Sequence, residues 1–143
     1  MKKIQFIKES LKSLQKVGTV LPSSKSVVDK MVQPIKFDND IVIIELGSGT
    51  GVITKEIINR MSKNSKLICF ETNISFYNDL KEKFKDNICL INDSAENMEI
   101  HLTKMKINRI DYIVSSVPLV TLPKETTNKI LLTSAKILNK NKK

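Results

Sequence analysis

The sequence predicts an α/β domain, a parallel sheet with helices on both sides, preceded by a helical arm. Two observations carry this. From residue 41 onward, short β-branched apolar runs alternate with stretches of helical period, and strands separated by helices call for right-handed crossovers and a parallel sheet. The first run, IVIIEL, is apolar without alternation up to its glutamate, as a strand buried on both faces requires. A length of 143 residues allows one such domain.

The elements follow in order. Ile4, Ile7, Leu11 and Leu14 recur at spacings of three, four and three, which places them on one face of a helix, and Lys8, Lys12 and Lys16 form a basic stripe beside it. Gly18 and Pro22 interrupt this pattern in VGTVLPSS. Ser23 or Ser24 can cap a second helix carrying Val27, Val28, Met31 and Val32, which Pro34 stops. Four strand–helix units come next: IVIIEL with a helix over about 51–61, KLICFE with one over about 75–84, NICLIN with one over about 95–104, and IDYIVSSV with one over about 123–138. In the last helix Ile130, Ser134, Ile137 and Leu138 share a face, and Pro123 suits its first turn. The body is thus Rossmann-like and three-layered. The division falls near Phe37: residues 1–36 are a basic amphipathic arm, and residues 37–143 are the α/β domain.

Charge follows the same division. Residues 1–36 hold eight Lys against Glu9 and Asp29, residues 37–123 hold ten basic against twelve acidic side chains, and residues 124–143 hold six Lys against Glu125, so both ends carry the net +9. End-loaded lysine suits a polyanionic surface, or simply keeps a small protein soluble. With 41% apolar and 27% charged residues the composition is that of a globular protein. No run approaches the ~20 apolar residues that cross a bilayer, and MKKIQFIKES carries charge through any signal core, so neither spanning nor export is expected. Cys69 and Cys89 lie in apolar runs and read as core residues in a reducing compartment. Two separated cysteines and one histidine make no zinc site, and no metal is expected.

The strongest motif is Glu45-Leu46-Gly47-Ser48-Gly49-Thr50-Gly51, between the first strand of the body and its helix. Such glycines let the backbone turn tightly and approach a ligand, and the helix N-terminus adds inward N–H groups. A dinucleotide fingerprint would need Gly or Ala at the sixth position, where Val52 stands, and no Lys-Ser/Thr pair completes a phosphate loop. Glu71 ends the second strand of the body, twenty residues past Gly51. There Rossmann-type domains place a carboxylate that accepts from ribose hydroxyls, although an ordinary strand-end acid has the same position.

With its acidic residue, spacer and G-x-G-x-G, this motif resembles the first motif of the class I S-adenosylmethionine-dependent methyltransferases. The resemblance implies a sheet of strand order 3-2-1-4 with the last three of the usual seven strands missing. It also implies that S-adenosylmethionine lies against Gly47, Ser48, Gly49, Thr50 and Gly51, with Glu45 holding its amino end. Glu71 and Thr72 would then meet the ribose. Asn92-Asp93-Ser94-Ala95 resembles the segment that meets the adenine, which makes Asp93, Ser94 and Ala95 candidates, with helix capping the other reading of Asp93. Ile74 is placed on the adenine face or in the core.

Ser115-Ser116-Val117-Pro118-Leu119 departs from enzymes that methylate adenine or glutamine, which carry an amide or acid, an apolar residue or Pro, then Pro and an aromatic. Ser116 replaces the amide and Leu119 the aromatic, which disfavours a flat substrate. Together with VGTVLPSS and ELGSGTG, this segment makes nearly the whole chain similar to the bacterial phospholipid N-methyltransferase family. The resemblance implies N-methylation of phosphatidylethanolamine by a cytoplasmic enzyme peripheral to the inner membrane face. Ser115 would then contact cofactor, Ser116, Pro118 and Leu119 would contact substrate, and Lys8, Lys12 and Lys16 would meet anionic headgroups. Transfer is an in-line displacement by an amine lone pair, which rests on positioning and desolvation. No base is assigned, and His101, in a polar helix, is set aside. An RNA adenine methyltransferase and an inactive cofactor-binding or membrane-associating module are the alternatives. The apolar IDYIVSSV would be a bare sheet edge: either the chain is a shortened form of the fold, or another subunit, as in a homo-oligomer, covers that edge.

Overall fold

A computed structural model of the chain describes residues 4–6 and 25–140. The strands are β1 (Ile4–Phe6), β2 (Val42–Leu46), β3 (Lys66–Phe70), β4 (Cys89–Ile91) and β5 (Tyr112–Ser115). The helices are α1 (Lys25–Val32), α2 (Val52–Arg60), α3 (Ile74–Phe84), α4 (Met98–Lys104) and α5 (Lys124–Asn139). Short 3-10 turns at Lys85–Asn87 and Ala95–Asn97 lead into β4 and α4.

All pairs are parallel and the sheet order is β1-β5-β2-β3-β4. The segment β4-β3-β2-β5 is the expected 3-2-1-4 order. Central β2 carries Ile44 opposite Ile68 of β3 and opposite Ile113 of β5. The period of two along each strand sorts side chains into two cores. Ile43, Leu67, Cys69 and Val114 pack under α1, α2 and α3, whereas Ile44, Leu46, Ile68, Phe70 and Ile113 pack under α4 and α5. Val28, Met31 and Val32 of α1 join Ile53 and Ile57 of α2 in the first core.

One expected helix start is replaced. Ile4–Phe6 form a strand whose Ile4 lies beside Ile113 and whose Phe6 lies beside Ser115. An unpaired β5 would present a row of backbone donors and acceptors, and pairing them outweighs the weak helical preference of three residues. The edge expected to need a second subunit is therefore paired within the chain over Ile113–Ser115. Lys8, Lys12, Lys16 and VGTVLPSS lie outside the described residues. No helix among the described residues is long and apolar enough to cross a membrane.

Because β2 to β5 run in one direction, their carboxyl ends all deliver loops to the same rim. In an open parallel sheet that rim is where ligands bind.

Candidate functional site

Leaving β2, the chain makes a turn that only glycine accommodates easily: φ is +76° at Gly47, +56° at Gly49 and +87° at Gly51. The three glycines serve different neighbours. A Cβ on Gly49 would meet nothing within 4 Å, so this residue faces open space. A Cβ on Gly47 would lie 3.1 Å from Val117 Cγ2, which records how closely the loop approaches the segment after β5. On Gly51 it would fall 2.7 Å from Phe84 Cε2 and 2.9 Å from Leu80 Cδ2 of α3. Gly51 therefore lets α2 start against α3 and does not face a ligand.

Backbone bonds tie the turn to its neighbours. Gly47 N–H donates to Phe70 O (2.8 Å), Ser116 N–H to Leu46 O (3.0 Å) and Ser116 Oγ to Gly47 O (2.6 Å). Glu71, 7% exposed, accepts from Gly49 N–H through Oε1 (2.7 Å) and from Asn73 N–H through Oε2 (2.8 Å). Asn73 in turn caps α3 by accepting from Phe76 N–H at 3.0 Å. Each Glu71 oxygen keeps a lone pair for a further donor.

Above the loop lies a cavity of about 470 Å³, within the ~300–1,000 Å³ usual for small-molecule sites. Of the sequence-predicted residues, Gly47, Ser48, Gly49 and Thr50 line it from the turn, and Glu71 and Thr72 from the end of β3. Asp93, Ser94 and Ala95 line it from the end of β4, and Ser116 and Pro118 from the end of β5. Glu45, Gly51, Ser115 and Leu119 are not on its wall. Ser115 is fully buried and its Oγ accepts from Val117 N–H at 3.2 Å. Leu119 is half-buried against the second core, held by Thr127 Oγ1 donating to its carbonyl at 2.7 Å. Ile74 is exposed, neither core nor cavity wall, and Phe76 lines the cavity in its place.

Glu45 follows the strand alternation to the first-core side, behind the turn. Its Oε1 accepts from Thr54 Oγ1 (2.5 Å), Ser48 Oγ (3.0 Å) and Cys69 Sγ (3.5 Å), while Oε2 is buried without a partner. Burial pushes its carboxyl above the usual carboxylate range, against the opposing pull of the Thr54, Ser48 and Cys69 bonds. The same burial raises the Cys69 thiol, and the neighbouring Glu45 adds to it.

Asp93 is held differently. Oδ1 accepts from Ser94 N–H (2.7 Å) and Asn97 Nδ2 (3.0 Å), and Oδ2 lies 2.6 Å from His101 Nε2. These bonds, that to His101 foremost, keep its carboxyl below the usual range. Sequence reasoning set His101 aside as a base, and α4 places it behind the cavity wall, against Asp93. It also missed Thr126 and Ile130 of α5, Leu122 before that helix, and Phe70, all on the wall. For Thr126 and Ile130 a signal exists: they lie four apart on the face that carries Ser134 and Ile137.

The lining suits one kind of ligand. Among the described residues the wall carries Glu71 and Asp93 but no Lys or Arg, so it repels a diphosphate and accepts hydroxyls, amines or a cation. S-adenosylmethionine presents all three and no phosphate.

Comparison with known proteins agrees with this chemistry. Residues 15–137 match the model of the ribosomal RNA adenine dimethylase family. The chain is 30% identical over 122 residues to an ornithine lipid N-methyltransferase of Singulisphaera acidiphila, covering 84% of this chain and 64% of that protein. It is 33% identical over 97 residues to a ribosomal RNA small subunit methyltransferase A of Persephonella marina, covering 65% and 36% respectively. The chain thus spans less than two thirds of either relative. The fold is shared with a putative rRNA-methylase from Clostridium thermocellum, with a TM-score of 0.62 at 16% identity over 82% of this chain and 65% of that one. Aeropyrum pernix fibrillarin, solved with natively bound S-adenosyl-L-methionine, shares it with a TM-score of 0.57 at 17% identity over 73% and 43%.

Proposed function

The chain belongs to the ribosomal RNA adenine dimethylase family of class I methyltransferases, whose cofactor is S-adenosylmethionine, and from that premise we propose that it N-methylates an aliphatic amine on a phospholipid headgroup of the phosphatidylethanolamine type. The family's relatives include enzymes named for RNA and one named for a lipid, so the acceptor is argued from this chain's own residues. The bound cofactor supplies a methyl group on a cationic sulfur. Everything else is positioning.

In this reading the turn from Gly47 to Thr50 holds the methionine part, Glu71 and Thr72 the ribose, and Asp93, Ser94 and Ala95 the adenine. The observation that carries the acceptor class is the wall beyond the turn. Ser116 Oγ has its hydrogen committed to Gly47 O, leaving lone pairs that accept from an amine N–H. Around it Val117, Pro118, Leu122 and Ile130 form an apolar wall that excludes water from the amine. Where methylases of flat amines carry a stacking aromatic, Leu119 is half-buried against the second core and off the cavity wall. Such a wall suits a narrow aliphatic amine, and the aromatic rings of the cavity, Phe70 and Phe76, come from β3 and α3 on the side assigned to the cofactor. Lys8, Lys12 and Lys16 would meet anionic lipid at the cytoplasmic face of the membrane, each contributing ~1 kcal/mol near the surface.

RNA adenine is the second reading, favoured by the family match over residues 15–137. A labelled-methyl assay separates the two. With S-adenosylmethionine, label is expected in vesicles of phosphatidylethanolamine and phosphatidylglycerol and not in ribosomal RNA; label in RNA alone overturns the lipid assignment.

A further inference from the structure

His101, set aside on sequence as a catalytic base, is placed by the fold beside Asp93 and Phe70. Three groups meet at the purine end of the cavity: Asp93, which follows β4; His101, eight residues on in α4; and Phe70, the last residue of β3. The His101 ring stands edge-on to the Phe70 ring, with centroids 5.8 Å apart and planes at 73°, a favourable arrangement for aromatic pairs. Its Nε2 lies 2.6 Å from Asp93 Oδ2. Phe70 and Asp93 line the cavity, whereas His101 stands behind both.

Lone-pair accounting makes this arrangement selective. An ionised carboxylate accepts only, with about four sites over its two oxygens. On Oδ1 both sites are taken, by Ser94 N–H and Asn97 Nδ2. On Oδ2 His101 takes one. Asp93 can only accept, so His101 Nε2 carries the hydrogen and donates it. One acceptor site remains, on the oxygen whose direction His101 sets.

We infer that His101 is a positioning residue for base recognition: by holding Asp93 Oδ2 and packing against Phe70 it aims a single acceptor site at the cavity, which takes a purine bearing an exocyclic N–H and rejects one bearing a carbonyl there. This rests on the reading of the cavity as a nucleoside site. An oxygen at that position of the base would face the carboxylate lone pair to lone pair.

The test is calorimetric titration of the full chain with S-adenosylhomocysteine and with its inosine analogue, for wild type, His101→Ala and His101→Gln. Gln places its Nε2 the same number of bonds from the backbone as the histidine Nε2, so it restores the donor without the ring. Wild type is expected to prefer the adenine ligand by at least about tenfold, the cost of one frustrated bond to a charged acceptor. His101→Ala should lose most of that preference, and His101→Gln should regain it. Thermal melting of each variant separates loss of aim from loss of fold, since an Ala variant that melts as wild type does and still discriminates overturns the inference. So does equal loss of preference in Ala and Gln variants. If wild type binds neither ligand, the nucleoside reading itself falls, a result distinct from either.

Discussion

The two ends of the cavity are built on different principles. At the cofactor end the wall is backbone and carboxylate: a turn with three positive-φ glycines, and two acids at the ends of adjacent strands that are held by N–H groups of neighbouring residues. At the acceptor end it is apolar side chains from the β5–α5 connection and from α5, with Ser116 the polar group nearest the turn. The first surface recognises a fixed molecule through directed bonds, and its geometry is set where neighbouring strand ends tie to one another, as Gly49 N–H does to Glu71 and Gly47 N–H to Phe70 O. The second recognises a substrate by shape and dryness, and it exists only once α5 has docked on the sheet. One end of such a site can stay constant while the other changes substrate.

The glycines give the largest test of that difference. Gly51 and Gly49 look equivalent in the motif, but one faces α3 and the other faces open space. Gly51→Ala combines left-handed strain with overlap against Phe84 and Leu80, and should destabilise the fold by about 2–4 kcal/mol. Gly49→Ala carries the strain alone, about 1–2 kcal/mol, while its Cβ intrudes where the ligand approaches. Denaturant melts and S-adenosylhomocysteine titration of both variants check this. Gly51→Ala should fail mainly in stability and Gly49→Ala mainly in binding, and similar profiles would mean that the turn is a structural knot and not a ligand surface.

Next in size is a pair, one from each end. Glu71→Ala removes the acceptor assigned to the ribose and also frees Gly49 N–H and Asn73 N–H. It should weaken S-adenosylhomocysteine by about 2 kcal/mol, the cost of bonds to a charged acceptor. Ser116→Ala should weaken that affinity less, by about threefold, since the turn loses the bond to Gly47 O but keeps those of Gly47 N–H to Phe70 O and Ser116 N–H to Leu46 O, and should lower kcat by about tenfold through loss of amine orientation. Reversal of the two outcomes would exchange the assigned ends.

How much of this was legible follows from where each feature is encoded. The strands of the body were, because a run such as residues 41–46 is recognisable by itself; the structure places β2 at Val42–Leu46. The turn and Glu71 were legible because strand ends in this topology converge on one rim, and Asp93 because Asn92-Asp93-Ser94-Ala95 resembles a family segment. β1 was not: three residues carry too little pattern to separate periods, and what makes them a strand is the open edge of β5. Thr126 and Ile130 share a face legible in the sequence, but that this face ends at the cavity, and that His101 meets Asp93, is set by how α5 and α4 dock on the sheet. Glu45 was legible as part of the motif but not in its direction. Adjacent strand positions point to opposite faces, and the alternation that sends Ile44 and Leu46 toward α4 and α5 sends Glu45 behind the turn.

That direction has a consequence for pH, the smallest effect expected here. Glu45 lies one residue before the end of β2 and Glu71 just past the end of β3, yet Glu71 meets backbone N–H donors on the cavity wall, while Glu45 is buried with Oε2 unpartnered. Burial raises the Glu45 carboxyl in the folded chain, so the folded state holds that proton more tightly than the unfolded state does. The resulting stabilisation is complete below the unfolded carboxylate range and is lost as pH rises through the raised folded value. Glu45→Gln keeps an oxygen for Ser48 and Thr54 and has no proton to lose. The difference in Tm between this variant and wild type should therefore move in the variant's favour from pH 5 to pH 8. A difference that is flat across that interval would mean that Glu45 is already charged in the folded protein at pH 5, the bonds from Thr54, Ser48 and Cys69 outweighing its burial.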